Sequence, residues 1–139
     1  MASDPVSLPS KILVLLTFLG ASACFLKGGQ GPEKMTIEDA TNLVYEVVRV
    51  HNPQAEIVRR TDKYDPDFFY FEVVVPNRVA SPIVGHFAIN PWTADVWNPA
   101  SCEQVNSPSL GKMQRSLRAK LHLSEGDYKR LKSRKPICS

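Results

Sequence analysis

The chain has little of what catalysis, metal binding or membrane insertion usually requires. Its three histidines, His51, His86 and His122, lie far apart and in different elements. No His-x-x-x-His or Cys-x-x-Cys pair supplies neighbouring ligands for zinc. The acids of "DKYDPD" (Asp62, Asp65, Asp67) have neither the glycine nor the number of oxygen ligands that a calcium loop needs, and read as a solvated turn. There is no glycine-rich phosphate loop and no Gly-x-Ser-x-Gly elbow. The longest apolar run reaches only from Ile12 to Leu26, about 15 residues, short of the ~20 that span a bilayer. Internal repeats are absent. No catalytic residue, metal or cofactor is therefore expected.

Cysteine is also scarce: Cys24, Cys102 and Cys138. Cys24 follows "SKILVLLTFLGASA", which has a basic start, a short apolar core and an Ala-x-Ala end, the order of a secretory signal peptide over residues 1–23. Ala21-Ser22-Ala23-Cys24 is also a loose lipobox, which makes Cys24 a candidate lipidation site and membrane anchor. Either fate of Cys24 leaves an even pair, and an exported domain with two cysteines reads as one disulfide, Cys102–Cys138. The rival reading makes Cys102 a nucleophile beside His86 or His122. Nothing in "NPASCEQVNSP" offers a helix N-terminus or a basic neighbour to lower its pKa.

Residues 24–34 hold three glycines and a proline and read as a flexible leader, and a single domain follows over 35–139. "MTIEDATNLVYEVVRVHNP" predicts a helix. Thr36 is its N-cap, Asp39 stands three residues on, and Asn52-Pro53 stops it. Ile37, Ala40, Leu43, Val44, Val47 and Val48 mark the buried side. Strands are expected at 55–61, 68–76 and 83–90. A return strand in "ADVWN" completes a hairpin whose turn is built from Asn90, Pro91, Thr93 and Asp95. Ser107-Pro108 and Ser124 open two C-terminal helical segments. Leu110, Met113, Leu117, Leu121, Tyr128 and Leu131 anchor those segments. The expected fold is α+β: an N-terminal helix on a three- or four-stranded antiparallel sheet, then C-terminal helices stapled by one disulfide.

"NPQAEIVRR", "FYFEVVV" and "HFAINPWTADVW" come in an order that resembles the PepSY-type module over residues 36–98. That module carries a helix, antiparallel strands and a late hairpin. Here Ala94 stands where the hairpin's usual glycine would be, and Asn90 where its usual aspartate would be. The resemblance implies a small exported module that binds or inhibits other proteins, without a catalytic site.

Two surfaces stand out. Trp92 falls in the hairpin turn, where a large ring is hard to bury. With Asp95 and with Arg78 from the preceding loop it is the expected partner contact. Trp97, in the return strand, is the expected core residue. From Lys112 to Lys135 nine basic residues face only Glu125 and Asp127, a positive face for an acidic protein or an anionic membrane. Export argues against nucleic acid. The expected function is that of an exported, non-enzymatic binding or inhibitory module in the periplasm or cell envelope. An immunity protein acting on a toxin, or an inhibitor of a hydrolase, would fit. The alternatives are a cone-like α+β enzyme or ligand carrier, in which His86, Tyr70 and Asp95 would converge on a pocket, and a membrane-surface module using the basic helices.

Overall fold

A computed structural model describes residues 32–61, 65–77 and 79–138. The signal peptide, Cys24 and most of the leader lie outside these residues, as does Arg78.

The chain is α+β. Helix α1 (Ile37–Val48) precedes five strands, β1 (Glu56–Arg60), β2 (Phe69–Val74), β3 (Ile83–Ile89), β4 (Val96–Asn98) and β5 (Glu103–Gln104). Helices α2 (Pro108–Lys120) and α3 (Glu125–Lys132) follow. The strands form one antiparallel meander in the order β1-β2-β3-β4-β5.

All three helices begin where local chemistry favours a start. The side chains of Thr36, Ser107 and Ser124 accept the backbone N–H of Asp39, Leu110 and Asp127, three residues on. Pro108 occupies the first turn of α2, where no intrahelical N–H is lost. Glu38 and Asp39, and Glu125 and Asp127, place acid at the positive ends of α1 and α3.

The pairing register shows which side chains share a face. Phe71 lies opposite Phe87, and Phe69 opposite Ile89, which in turn faces Val96. These residues meet Ala40, Leu43, Val44 and Val48 of α1, and Leu110 and Leu121 from the C-terminal part, in the main core. The valines of α1 are poor helix formers, so the helix depends on this contact. On the other face the rows are Glu56–Val74–Ile83, Val58–Glu72–His86 and Arg60–Tyr70–Ala88–Trp97. Across β1 and β2 this second face is largely open, with Val58 and His86 exposed and Arg60 paired to Glu72 at 3.4 Å. Toward β4 it closes, where Phe68 and Tyr70 pack on Ala88 and Trp97.

The Cys102–Cys138 disulfide is formed, with the two Cα atoms 5.5 Å apart. It fastens the chain end beside β5. Nearby, the Ile137 N–H donates to both Asp65 Oδ2 and Tyr70 Oη, each at 3.1 Å, and the Tyr70 hydroxyl donates to Asp65 at 2.6 Å. Asp65 is buried here, so it is a structural acceptor and not part of a solvated turn.

Candidate functional site

The hairpin at Asn90–Asp95 is the most densely bonded part of the fold, and every residue from Ala88 to Trp97 is buried. The turn first organises itself. The Asn90 N–H donates to the Asp95 carbonyl at 2.9 Å and the Ala94 N–H to the Asn90 carbonyl at 3.0 Å. The Asn90 side-chain oxygen accepts from the Trp92 and Thr93 amides at 3.1 and 3.2 Å, as an Asx turn does. Ala94 takes φ 60°, the left-handed conformation that glycine adopts without strain.

Distant elements then lock onto the turn. Asn90 Nδ2 donates to the Leu131 carbonyl of α3 at 3.1 Å, and Gln114 Nε2 of α2 donates to the Ala94 carbonyl at 3.0 Å. The Met35 N–H donates to the Pro91 carbonyl at 2.7 Å, which ties down the entry to α1. The Asp95 carboxylate accepts from Thr93 Oγ1 at 2.6 Å, Gln104 Nε2 at 2.8 Å and Arg118 Nη2 at 2.8 Å. Arg118 also donates through Nε to the Thr93 carbonyl. A buried carboxylate is tolerated only with such compensation. Asp95 here has a cation and two neutral donors.

The expectation of an exposed tryptophan at this tip is therefore corrected. Trp92 is only 8% exposed, with Lys34 Nζ 4.6 Å and the Arg134 guanidinium 5.1 Å from its ring centroid. Asp95, at 1% exposure, is an internal acceptor instead of a surface group that orients a partner. Sequence reasoning failed because the residues that cover the turn are distant in sequence, Gln114 and Leu131 coming 20 and 41 positions after their partners and Met35 standing before α1. One signal was available. Gln114 and Arg118 fall in the same helical stripe as Leu110 and Leu121, and polar residues in an apolar stripe imply buried polar partners. Trp97 is buried as expected, and its Nε1–H has no hydrogen-bond partner among the described residues.

The three groups of the pocket alternative have separate surroundings. Tyr70 bonds Asp65, Asp95 is held by Thr93, Gln104 and Arg118, and His86 stands exposed opposite Glu72. The described residues contain no group of three or more His, Cys, Asp or Glu placed to hold a metal ion, and no helix among them is long and apolar enough to cross a membrane.

The positive face is more balanced than the sequence suggests. Five of its nine cations have carboxylate partners: Arg118 with Asp95, Lys120 with Asp39, Lys129 with Glu125, Arg130 with Asp127, and Arg134 with Asp67. Arg118 lies 4.7 Å and Lys132 5.5 Å from the centroid of the Tyr128 ring, which ties α3 to α2.

No family model matches the chain, and no curated protein matches it. Among solved structures, the fold is similar to that of a chain in a type VI secretion system effector–immunity complex from Pseudomonas protegens. The TM-score is 0.56 and the identity 22%, over 71% of this chain and 87% of the other. At that identity the likeness is one of fold.

Proposed function

We propose that this chain is an exported immunity-type protein, which binds a protein toxin and holds it inactive. The observation that carries this reading is the fold it shares with a chain of an effector–immunity complex, over most of both chains. Other features agree with it. The Cys102–Cys138 bridge suits an oxidising compartment, and the signal-like start of residues 1–23 suits export to the periplasm or cell envelope. The PepSY-like order of residues 36–98 points to the same class of small binding module. The internal network also favours a binding role over catalysis, because Asn90, Thr93, Asp95 and Arg118 spend their hydrogen bonds on the fold. A body braced in this way presents a fixed surface, and a fixed surface loses little freedom on association.

The test is protection. The protein encoded beside this chain's gene is expressed with a periplasmic signal, with and without this chain, and growth is followed. Rescue of growth, together with a one-to-one complex on size exclusion, is expected. A folded, exported chain that neither rescues growth nor co-purifies with that protein would overturn the reading.

A further inference from the structure

The charge around the hairpin tip is unbalanced. Lys34 and Arg134 lie over Trp92, and Arg118 and Lys132 over Tyr128. Arg118 also bonds Thr93 and Asp95, so both rings belong to one cluster about the tip. Arg118 and Arg134 are neutralised by Asp95 and Asp67. Among the described residues, Lys34, Lys132 and Lys135, the last adjacent to Arg134 in sequence, have no carboxylate within salt-bridge distance. A cation held against a ring has already lost part of its freedom, so a second, anionic contact costs it less.

We infer that this lysine rim over the hairpin tip is the docking surface for an acidic segment of a partner protein, whose carboxylates meet Lys34, Lys132 and Lys135. The inference rests on the protein-binding reading above and names the partner's chemistry. An exposed apolar neighbour favours a protein over a polyphosphate. Ile137, two residues after Lys135 in sequence, is 54% exposed and offers an apolar contact that a polypeptide can use and a polyphosphate cannot. Such a rim contributes mainly through faster, salt-sensitive association.

The test compares the wild-type chain with K34E/K132E/K135E, which touches no ion pair, and with R59E/K112E/R115E, which makes the same change in net charge elsewhere. The probes are poly-L-glutamate, a DNA duplex and phosphatidylglycerol vesicles. Wild-type binding to poly-L-glutamate should weaken with salt and fall roughly tenfold or more in the rim variant, with an unchanged circular dichroism spectrum and little change in the control variant. If the rim variant does not fold, K34Q/K132Q/K135Q replaces it, with a smaller loss expected in the same direction. Equal losses in both variants, or tighter binding to duplex or vesicle than to poly-L-glutamate, would overturn the inference. The two readings fail separately. A chain that protects against its toxin equally well with the rim reversed keeps its immunity role and loses this surface. A chain whose poly-L-glutamate binding depends on the rim, yet which protects against nothing, loses the immunity role instead.

Discussion

Strand β3 has a turn at each end, and the two turns were built to opposite specifications. The Val75–Pro82 turn before it closes with a bond from the Val75 N–H to the Pro82 carbonyl at 2.8 Å, and leaves Pro76, Asn77, Val79, Ala80 and Ser81 exposed. The Asn90–Asp95 turn after it also closes with a cross-strand bond, yet every one of its residues is buried. Both contain a residue in the left-handed region, Asn77 at φ 64° and Ala94 at φ 60°. Both carry an asparagine and a proline. Turn chemistry therefore accounts for the bend, and the rest of the chain decides what covers it. The second turn is covered because α2, α3 and the segment before α1 all dock there.

Removing the ring at the centre of the covered turn is the strongest way to break that contrast. Trp92→Ala should cost about 3–5 kcal/mol, the range for deleting a large buried aromatic side chain, measured by urea denaturation with the disulfide intact. A loss below about 1 kcal/mol would return Trp92 to the surface, and the sequence-based expectation with it.

The staple comes next. Cys102→Ser opens a loop with a sequence separation of 36 residues and should lower stability by about 3–4 kcal/mol in the chain-entropy picture. Protection of the Ile137 amide against hydrogen exchange should fall with it, because that amide is tied to Asp65 and Tyr70 beside the bridge. Unchanged stability would mean that Tyr70 and Asp65 hold the chain end unaided.

A milder cut tests the ion pair under the turn. Asp95→Ala strands Arg118, Thr93 and Gln104. Because the Arg118 side chain is 23% exposed, water can recover part of the loss. The expected cost is about 3 kcal/mol, the low end for breaking a buried pair. Asp95→Ala combined with Arg118→Met should recover part of it, since the double change leaves no unpaired charge. Additive losses would show that Asp95 and Arg118 act separately.

What the sequence made legible follows the same division. Helix starts at Thr36, Ser107 and Ser124 were readable because a cap acts over three residues. Core positions of α1 followed from its period, and the disulfide followed from parity. The two-residue strand β5 was not readable, because nothing in Glu103–Gln104 marks a strand and its pairing is imposed by β4. The burial of the turn at Asn90–Asp95 depends on Gln114, Arg118 and Leu131, and no window around the turn contains them. The positive C-terminal face was legible as composition only, since Asp39, Asp67 and Asp95 lie in other elements.

An exposed ion pair should matter less than the buried one. Lys120 of α2 reaches Asp39 of α1 at 3.2 Å, with the lysine side chain 65% exposed. Burial pushes the Asp39 carboxyl up, but the hydrogen bonds from Lys120 and Thr36 and the lysine's charge together hold it below its ordinary value of 3.8. A lowered folded value means that the stabilisation is complete above the unfolded value and is lost as pH falls through the folded one. Solvent screening limits it to about 1 kcal/mol or less. The stability difference between wild type and Asp39→Asn should be constant near neutrality and shrink only below about pH 4. A difference that is absent at neutral pH would mean the pair contributes nothing.

The smallest effect is expected at the exposed turn, where the contrast can be tested from its other side. Val79 is fully exposed, at 102% of its reference area, so Val79→Ser removes no buried surface. It should change stability by less than about 0.5 kcal/mol, as surface substitutions do. Asn77 is exposed as well, but its backbone is left-handed, a conformation that asparagine tolerates better than most residues. Asn77→Gly should therefore be close to neutral, because glycine's ease in that conformation is offset by the larger entropy it loses on folding. Asn77→Ala should cost about 1 kcal/mol, the penalty of placing a Cβ there. Ala94 already bears that penalty inside the covered turn, and there the surrounding bonds keep the conformation in place. A cost above about 2 kcal/mol for Val79→Ser, measured by thermal and urea denaturation together, would mean that this turn is also packed against the body, and the two ends of β3 would no longer differ in kind.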